Sequence, residues 1–301
     1  MKKALVAVYR LITLNFTKRL SYRRLRKHAT RTGGFQGKIL KKMAFDRDSR
    51  LTLFADKIRV RDFVTSRIGE QYLTKAYLTT MEGETINWSA LPNEFVAKTN
   101  HSSGGNVIVW EKVPRHQSIP DDPKKHGWGT VTVHPDQLVK LDCERLMQHW
   151  LSLNYAWQFG RKYPEWAYEN IVPGVLFEEL LTGADGKLPE DFKFYCINGQ
   201  ARVVQVDSER FEGHKRSLFS TNWEPLAAKL LYPQPSRLPT PPRNLSKMVE
   251  IAETLSQGTD LLRVDLYEIG NQIVFGELTN YPEGGGYSFS PRSFDLALGA
   301  H

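Results

Sequence analysis

The sequence predicts an α+β fold, assembled from hairpins and helices rather than from regular βαβ repeats. Three observations predict it. Runs with a period of two flank the turn signals Asn198-Gly199 and Gly270-Asn271, which is the pattern of β-hairpins. The stretch FVAKTN-HSSGGN-VIVWEK, starting at Phe95, reads as strand, glycine-rich loop, strand. Helical patterns fall between these units without alternating with them, so no doubly wound parallel sheet is expected.

The chain opens with MKKALVAVYRLITLNF, then KRLSYRRLRKH. On a helix, Leu5, Val8, Leu11, Ile12, Leu14 and Phe16 lean to one side. The apolar run is too short, and broken by Arg10, to span a bilayer, and it lacks the small-residue cleavage site of a secretory signal. A basic amphipathic helix either lies on an anionic membrane surface or packs on the body with its charges in water. No nucleic-acid-binding module accompanies it, so no nucleic-acid partner is expected. Residues 29–38 read as a loop. Between 45 and 69 a helix is expected from about Asp56, with Asp56 as its cap. Residues 71–80 read as a strand, 114–129 as a loop, and 143–159 as a helix. GVLFEELLTG, from Gly174, is a short apolar strand carrying two acids. Residues 232–244 are a Pro-rich connector, and 245–258 an amphipathic helix closed by Gly258.

A chain of 301 residues can bury a sizeable core. Its two cysteines, Cys143 and Cys196, are far apart; they exclude a disulfide scaffold and a cysteine zinc site and suggest a reducing, cytoplasmic setting. The net charge of +8 is unevenly spread. Residues 1–42 hold thirteen Lys and Arg and no acid, leaving 28 basic and 33 acidic residues elsewhere, a net of −5.

The final hairpin raises the sharpest chemical question. Leu262, Val264 and Leu266 alternate with Arg263, Asp265 and Tyr267; Val274, Gly276 and Leu278 alternate with Phe275, Glu277 and Thr279. A three-residue loop at 270–272 would set Asp265 opposite Glu277. Facing carboxylates repel and raise each other's pKa unless a cation lies between them. Carboxylate oxygens suit Mg²⁺ bound with substrate phosphates; the plainer reading is an Arg263–Asp265 pair beside an exposed Glu277. Four other features offer phosphate or nucleotide contacts: Lys98 with the small-residue loop His101, Ser102, Ser103, Gly104, Gly105, Asn106; Lys57 and Arg61, one turn apart; the strand end Glu178-Glu179-Leu180-Leu181; and Asp191 with Lys193, with Lys215 and Arg216 beyond. No Walker motif is present, and no nucleophile–base–acid set stands out.

In this order the elements resemble the TupA-like group of the ATP-grasp superfamily, named for teichuronopeptide biosynthesis. The resemblance is carried by KMAFDRDSRLTLFADKIRVRDFV, FVAKTNHSSGGNVIV, PEWAYENIVPGVLFEELL, DFKFYCINGQARVVQVDSERFEGHKR, RVDLYE and FGELTNYPEGG. It implies an ATP-grasp fold: a basic N-terminal helical extension (1–44), a first lobe with the glycine-rich loop (45–175), and a second lobe with a metal-binding hairpin (176–301), clasping ATP. It implies that Lys98 contacts the α/β-phosphates under the 101–106 loop, with Lys57 or Arg61 supporting them. Glu178, Glu179, Leu180 and Leu181 would form the adenine hinge, Asp191 with Lys193 would meet the ribose side, and Arg263 would stand near the γ-phosphate. Asp265 and Glu277 would hold Mg²⁺. The third ligand of the superfamily is usually an Asn, and Thr279 takes that position. Lys215 and Arg216 would bind an anionic acceptor.

The implied activity is an ATP-dependent carboxylate–amine ligase working through an acyl phosphate. Its expected partners are a sugar or glycan carboxylate, such as a uronic acid, an amine donor, and an anionic membrane surface under residues 1–42. The alternatives are a phosphotransferase on the same scaffold, a glycosyltransferase using the DxD triplet Asp46-Arg47-Asp48, and a non-catalytic membrane-surface protein.

Overall fold

A computed structural model describes residues 17–157, 162–208 and 213–301. The first helix, α1, covers residues 17–29. It is followed by α2 (Gly34–Phe45), α3 (Arg50–Ala55), α4 (Val60–Ile68), β1 (Ala76–Met81), β2 (Phe95–Thr99), β3 (Asn106–Val109) and β4 (Thr130–Val133). Then come α5 (Lys140–Leu151), β5 (Gly174–Glu178), β6 (Asp191–Ile197), β7 (Gln200–Ser208) and β8 (Lys215–Phe219). The chain ends with α6 (Leu245–Ser256), β9 (Leu261–Ile269), β10 (Gln272–Thr279) and α7 (Arg292–Ala300).

The strands form two five-stranded sheets, ordered β1-β5-β2-β3-β4 and β10-β9-β6-β7-β8. The second is antiparallel throughout. In the first, only β3 and β4 run parallel. β4 was not expected: its four residues, TVTV, follow a long polar loop and gain their partner only through β3. The helix expected over 143–159 ends at Leu151, and the strand expected over 71–80 begins at Ala76, after a 3₁₀ turn at Glu70–Tyr72. The loop expected over 29–38 shrinks to the turn between α1 and α2.

Two apolar cores result. Phe95, Val107, Trp150 and Phe177 pack α5 against the first sheet. The larger core joins α2, α3, α4 and α6 to the second sheet through Phe35, Leu40, Phe54, Val64 and Met248, among others. A lobe boundary at 175/176 therefore needs correction. It would cut β5, which is hydrogen-bonded between β1 and β2, and α3 and α4 share a core with the second sheet rather than the first.

The basic extension is also not separate in its described part. Leu25 and Ala29 of α1 and Phe35, Ile39, Leu40 and Met43 of α2 are buried in the larger core. Arg19, Arg23, Arg24, Arg26 and Lys27 remain exposed. Residues 1–16, with the apolar run, lie outside the described residues. No described helix is long and apolar enough to cross a membrane.

In place of one helix from Asp56 there are two, α3 and α4, and Asp56 links them. Its N–H donates to Thr52 O and Leu53 O, closing α3, while its Oδ1 accepts from Ile58 N and Arg59 N. The backbone N–H and the short polar side chain of one residue thus serve the two helix ends at this break.

Candidate active site

The second sheet lays out charge in rows across its strands. In β6 and β9 every second side chain faces the helices: Phe192, Phe194, Leu262, Val264 and Leu266 are buried there. The alternate positions carry polar groups, and pairing aligns them. Lys193 lies opposite Asp265, and Asp265 opposite Glu277. Tyr195 lies opposite Arg263, and Arg263 opposite Thr279.

The Asp265–Glu277 match is as expected, but its cause differs. The turn has two residues, not three, so Phe275 pairs with Leu266. A β-bulge at Gly276 then slips the register by one, bringing Glu277 to Asp265. The glycine eases the bulge, since a Cβ there would stand 3.0 Å from both Asp265 O and Tyr267 Cε2, a tight approach. Bulges re-aim side chains in this way beside active sites.

The cation between the two acids is, in this structure, a guanidinium. Arg263 donates through Nε to Asp265 Oδ1 and through Nη2 to Asp265 Oδ2, both at 2.7 Å, and through Nη2 to Glu277 Oε1 at 2.9 Å. Lys193 reaches Asp265 Oδ2 at 2.8 Å and also pairs with Asp191. Burial alone would raise the Asp265 carboxyl; Arg263 and Lys193 outweigh it and hold it below the ordinary range. Thr279 donates its hydroxyl to Glu277 Oε1 at 3.1 Å, so it shares the face of Glu277. Asn280 points away, donating to Leu51 O at 2.7 Å. Among the described residues no three His, Cys, Asp or Glu converge as metal donors. Two carboxylates in register with a hydroxyl beside them still fit Mg²⁺, which needs one or two carboxylates when phosphates and water complete its shell.

Across from this hairpin, β2, β5 and α4 supply a second charged set. Glu178 pairs with Lys98, sits 3.6 Å from Arg61 Nη1, and accepts from the Thr74 hydroxyl at 2.5 Å. Burial would raise Glu178, but Lys98 overcomes it and keeps it ionised, and Lys98 is raised in turn. Lys57 donates to Thr99 O at 3.2 Å and to Ser102 O. Burial pushes its ammonium down to about 8.

The glycine-rich loop closes by backbone geometry. Gly104 and Gly105 have φ of +92° and +65°, and a Cβ would meet Trp128 O at 2.1 Å and Thr99 Oγ1 at 2.4 Å respectively. Asn100 ties the loop to the helices, donating to Asp56 Oδ1 and Val172 O, both at 3.0 Å.

Three connected cavities follow. The first, about 260 Å³, is lined from one side by Lys57, Arg61, Lys98, Ser103, Gly104 and Glu178. From the other side it is lined by Asp191, Lys193, Asp265, Tyr267 and Glu277, and Asn106 also reaches it. A slot of about 170 Å³ continues from Lys98 and Glu178 to Glu179, Leu180 and Leu181, between Val96, Ile108 and Phe275. A third cavity, about 650 Å³, shares Ser103, Tyr168, Lys193 and Glu277 with the first and adds Arg216, Arg263 and Thr279.

Four expected contacts are not brought to these cavities. His101 is buried, with its ring nitrogens on Asn100 Oδ1 and Leu153 O, because the apolar pocket beside Trp128 takes the ring. Ser102 turns inward, its Oγ 2.5 Å from Thr99 Oγ1. Gly105 is pinned under Thr99. Lys215 alternates away from Arg216 and lines none of the three cavities. Arg216 is instead buried, with Nε on Asp207 Oδ1 at 2.7 Å and Nη1 on Glu283 Oε1 at 2.9 Å. The DxD acids are spent locally: Asp46 accepts from Lys42 and from Asp48 N, and Asp48 from Arg50. Sequence reasoning missed Asp207, Thr74 and Glu165. Asp207 had only a weak signal, as an acid in the strand that precedes Arg216.

Two sheets enclosing an apolar slot, a lysine- and arginine-rich cavity and a pair of carboxylates define the ATP-grasp fold. The TupA-like ATP-grasp family model matches residues 37–301, and the chain belongs to that family. No curated protein matches it in sequence. It is similar in structure to D-alanine–D-alanine ligase from Bacillus anthracis complexed with ATP, at 14% identity over 77% of this chain and 57% of that one, TM-score 0.41. It is similar also to D-alanine–D-alanine ligase from Helicobacter pylori, at 15% identity over 82% and 60% of the two chains, TM-score 0.41. For N5-carboxyaminoimidazole ribonucleotide synthetase from Thermus thermophilus the values are 10%, 78%, 48% and 0.39. The chain thus spans about half to three-fifths of the length of these enzymes.

Proposed function

We propose that the protein is an ATP-dependent carboxylate–amine ligase that acts through an acyl phosphate on a uronic-acid-containing glycan or its precursor. One observation carries the reaction class: the nucleotide-sized cavities and the larger cavity meet at Glu277, Lys193 and Ser103. A terminal phosphate and an acceptor carboxylate can therefore meet there. The glycan assignment rests on the family.

In this reading the slot beside Glu179, Leu180 and Leu181 takes the adenine. Lys98, Lys57 and Arg61 neutralise the phosphates, and Asp191 lies toward the ribose. Asp265 and Glu277, with Thr279 beside them, hold Mg²⁺, which offsets phosphate charge when bound. An acceptor carboxylate oxygen attacks the γ-phosphorus and ADP leaves. The amine then attacks the acyl carbon and inorganic phosphate leaves. Arg263 stands where charge develops on the transferring group, and positioning between two sheets supplies most of the rest. The exposed arginines of α1 support residence on the anionic inner face of the cytoplasmic membrane.

The test is purified protein with ATP, Mg²⁺ and a panel of uronic acids and amino acids. The expected products are ADP, free phosphate and an amide in equal amounts. A phosphorylated sugar without free phosphate would make the protein a phosphotransferase. Pelleting with phosphatidylserine vesicles should fall about a hundredfold when Arg19, Arg23 and Arg26 are all changed to Gln, at roughly 1 kcal/mol per lost charge; unchanged pelleting would remove the membrane proposal.

A further inference from the structure

The turn between β10 and α7 presents two tyrosines to the largest cavity. Tyr281 and Tyr287 both line it. Tyr281 is only 3% exposed, and its hydroxyl has no hydrogen-bond partner among the described residues, an uncommon state for a buried phenol. Tyr287 is 51% exposed, so it stands at the cavity's mouth. The backbone between them is firmly held. Glu283, Gly284 and Gly285 take φ of 51°, 58° and 66° in succession, a left-handed stretch that the two glycines make possible. Gly284 N donates to Tyr281 O at 2.8 Å, and Gly286 N to Glu283 O at 3.0 Å. Arg216 Nη1 anchors Glu283 Oε1 at 2.9 Å. Gln36 of α2 donates to Gly285 O at 3.1 Å. A Cβ on Gly285 would stand 3.0 Å from Leu40 Cδ2, so the turn is seated directly on that helix.

We propose that this turn reads a glycan of more than one sugar unit: the Tyr281 hydroxyl bonds the sugar that carries the reacting carboxylate, and the Tyr287 ring packs on the sugar next to it. This rests on the ligase reading above and deepens it, because it makes the acceptor an oligosaccharide or polymer rather than a single uronic acid.

Tyr281 comes two residues after Thr279, and an extended chain advances about 3.3 Å per residue. Its backbone therefore lies within about 7 Å of the Thr279 backbone, roughly one sugar unit from where the acyl phosphate would form. Burial and the charge of Glu165 raise the Tyr281 phenol, so it stays a hydroxyl that can both donate and accept. A sugar hydroxyl matches both roles. Tyr287 offers a broad, stiff contact face with few torsions to freeze, and the C–H face of a pyranose suits the electron-rich face of its ring. Arg216, on the same wall, is already matched by Asp207 and Glu283. The turn thus adds a hydroxyl and a ring, not net charge. The cavity of about 650 Å³ falls among the pockets of about 300–1,000 Å³ that bury drug-sized ligands. A lone hexuronate would leave much of it to water.

The experiment measures binding and turnover separately. Calorimetry on the full chain uses galacturonate, its dimer, glucuronate, and the disaccharide of glucuronate with N-acetylglucosamine. In wild type at least one disaccharide should bind about tenfold more tightly than its parent acid. Tyr287→Ala should erase that preference and leave the single acids within about twofold, while Tyr287→Phe should keep it. Tyr281→Phe should weaken every acid about tenfold, the loss of one hydrogen bond. Its melting temperature should not fall, since the hydroxyl bonds none of the described residues. Equal affinity within both pairs in wild type, a preference that survives Tyr287→Ala, or unchanged affinity in Tyr281→Phe overturns the proposal. Hydroxamate formation from the same acids with ATP, Mg²⁺ and hydroxylamine tests the ligase reading by itself. A disaccharide preference with no hydroxamate from any acid would keep the glycan site and remove the ligase. Hydroxamate formed with no preference for length would keep the ligase and remove the glycan site.

Discussion

The two ends of the active cavity differ in how their charges are paired. At the nucleotide end every acid already has a cation: Glu178 has Lys98 and Arg61, and Asp265 has Arg263 and Lys193. At the acceptor end Arg216 joins Asp207 and Glu283 in one buried cluster, while Tyr281 keeps a buried hydroxyl without a hydrogen-bond partner among the described residues. The difference teaches that the first end is preorganised as a paired network, which an incoming polyanion with its counter-ion must rearrange. The second keeps an unmet polar atom on its wall. Substitutions at the nucleotide end should therefore carry a stability cost along with lost chemistry, and those at the acceptor end should mainly alter chemistry.

The largest effect is expected at the carboxylate pair. Glu277→Gln should lower turnover about a thousandfold or more, with thermal stability nearly unchanged, because Glu277 is partly exposed and Arg263 keeps Asp265. Asp265→Asn should lose turnover too, but it leaves two buried cations with one acid each, Lys193 with Asp191 and Arg263 with Glu277, and should cost about 3 kcal/mol of stability. Turnover and melting temperature measured on both variants check this; equal melting losses in the two would break the distinction. Next in size, Lys98→Met removes one phosphate contact and leaves Glu178 to Arg61 and Thr74. ATP should bind about a hundredfold more weakly by calorimetry, and unchanged affinity would take Lys98 out of the phosphate site.

The same contrast explains what the sequence could disclose. Lys98, Glu178, Asp191, Lys193, Arg263, Asp265 and Glu277 all sit on strands, or at a strand's end, where a period of two assigns each a face before any fold is known. The hairpin turn at Asn198-Gly199 was legible for the same reason: both residues adopt positive φ, 52° and 74°. The Gly276 bulge was not legible, because a two-residue turn with a bulge and a three-residue loop give one and the same Asp265–Glu277 pairing. Glu165 was hidden more deeply. It lies in an irregular segment, and what brings it to the site is a cavity closed by residues far apart in the chain. His101 misled for the opposite reason: its place in a small-residue loop suggested phosphate, while tertiary packing drew its ring toward Trp128.

Gly276→Ala tests the bulge and should have a moderate effect. The new methyl stands 3.0 Å from the Asp265 backbone oxygen, which must shift by a few tenths of an ångström, so about 1–3 kcal/mol of stability is at stake, with turnover down about tenfold as Glu277 shifts from Asp265. A variant with full activity and stability would show that the bulge does not set the site.

The smallest expected effect is a pH dependence, and its sign is the useful part. Lys57 is charged below about 8 and neutral above. A neutral amine gives phosphate no charge–charge attraction, so ATP affinity should fall as pH rises through about 8, by at most about tenfold per pH unit. Binding above that pH should take up a proton, which calorimetry in two buffers of different ionisation heat measures directly. Stability should move the other way. The unfolded lysine keeps its ordinary value of 10.5, so between about 8 and 10.5 the unfolded chain binds more protons and this residue favours the fold increasingly as pH rises. Weaker ATP binding without alkaline unfolding is therefore the signature of Lys57, and Lys57→Arg should abolish it. A pH-independent affinity in the wild type would place Lys57 outside the phosphate site and leave Lys98 and Arg61 as its cations.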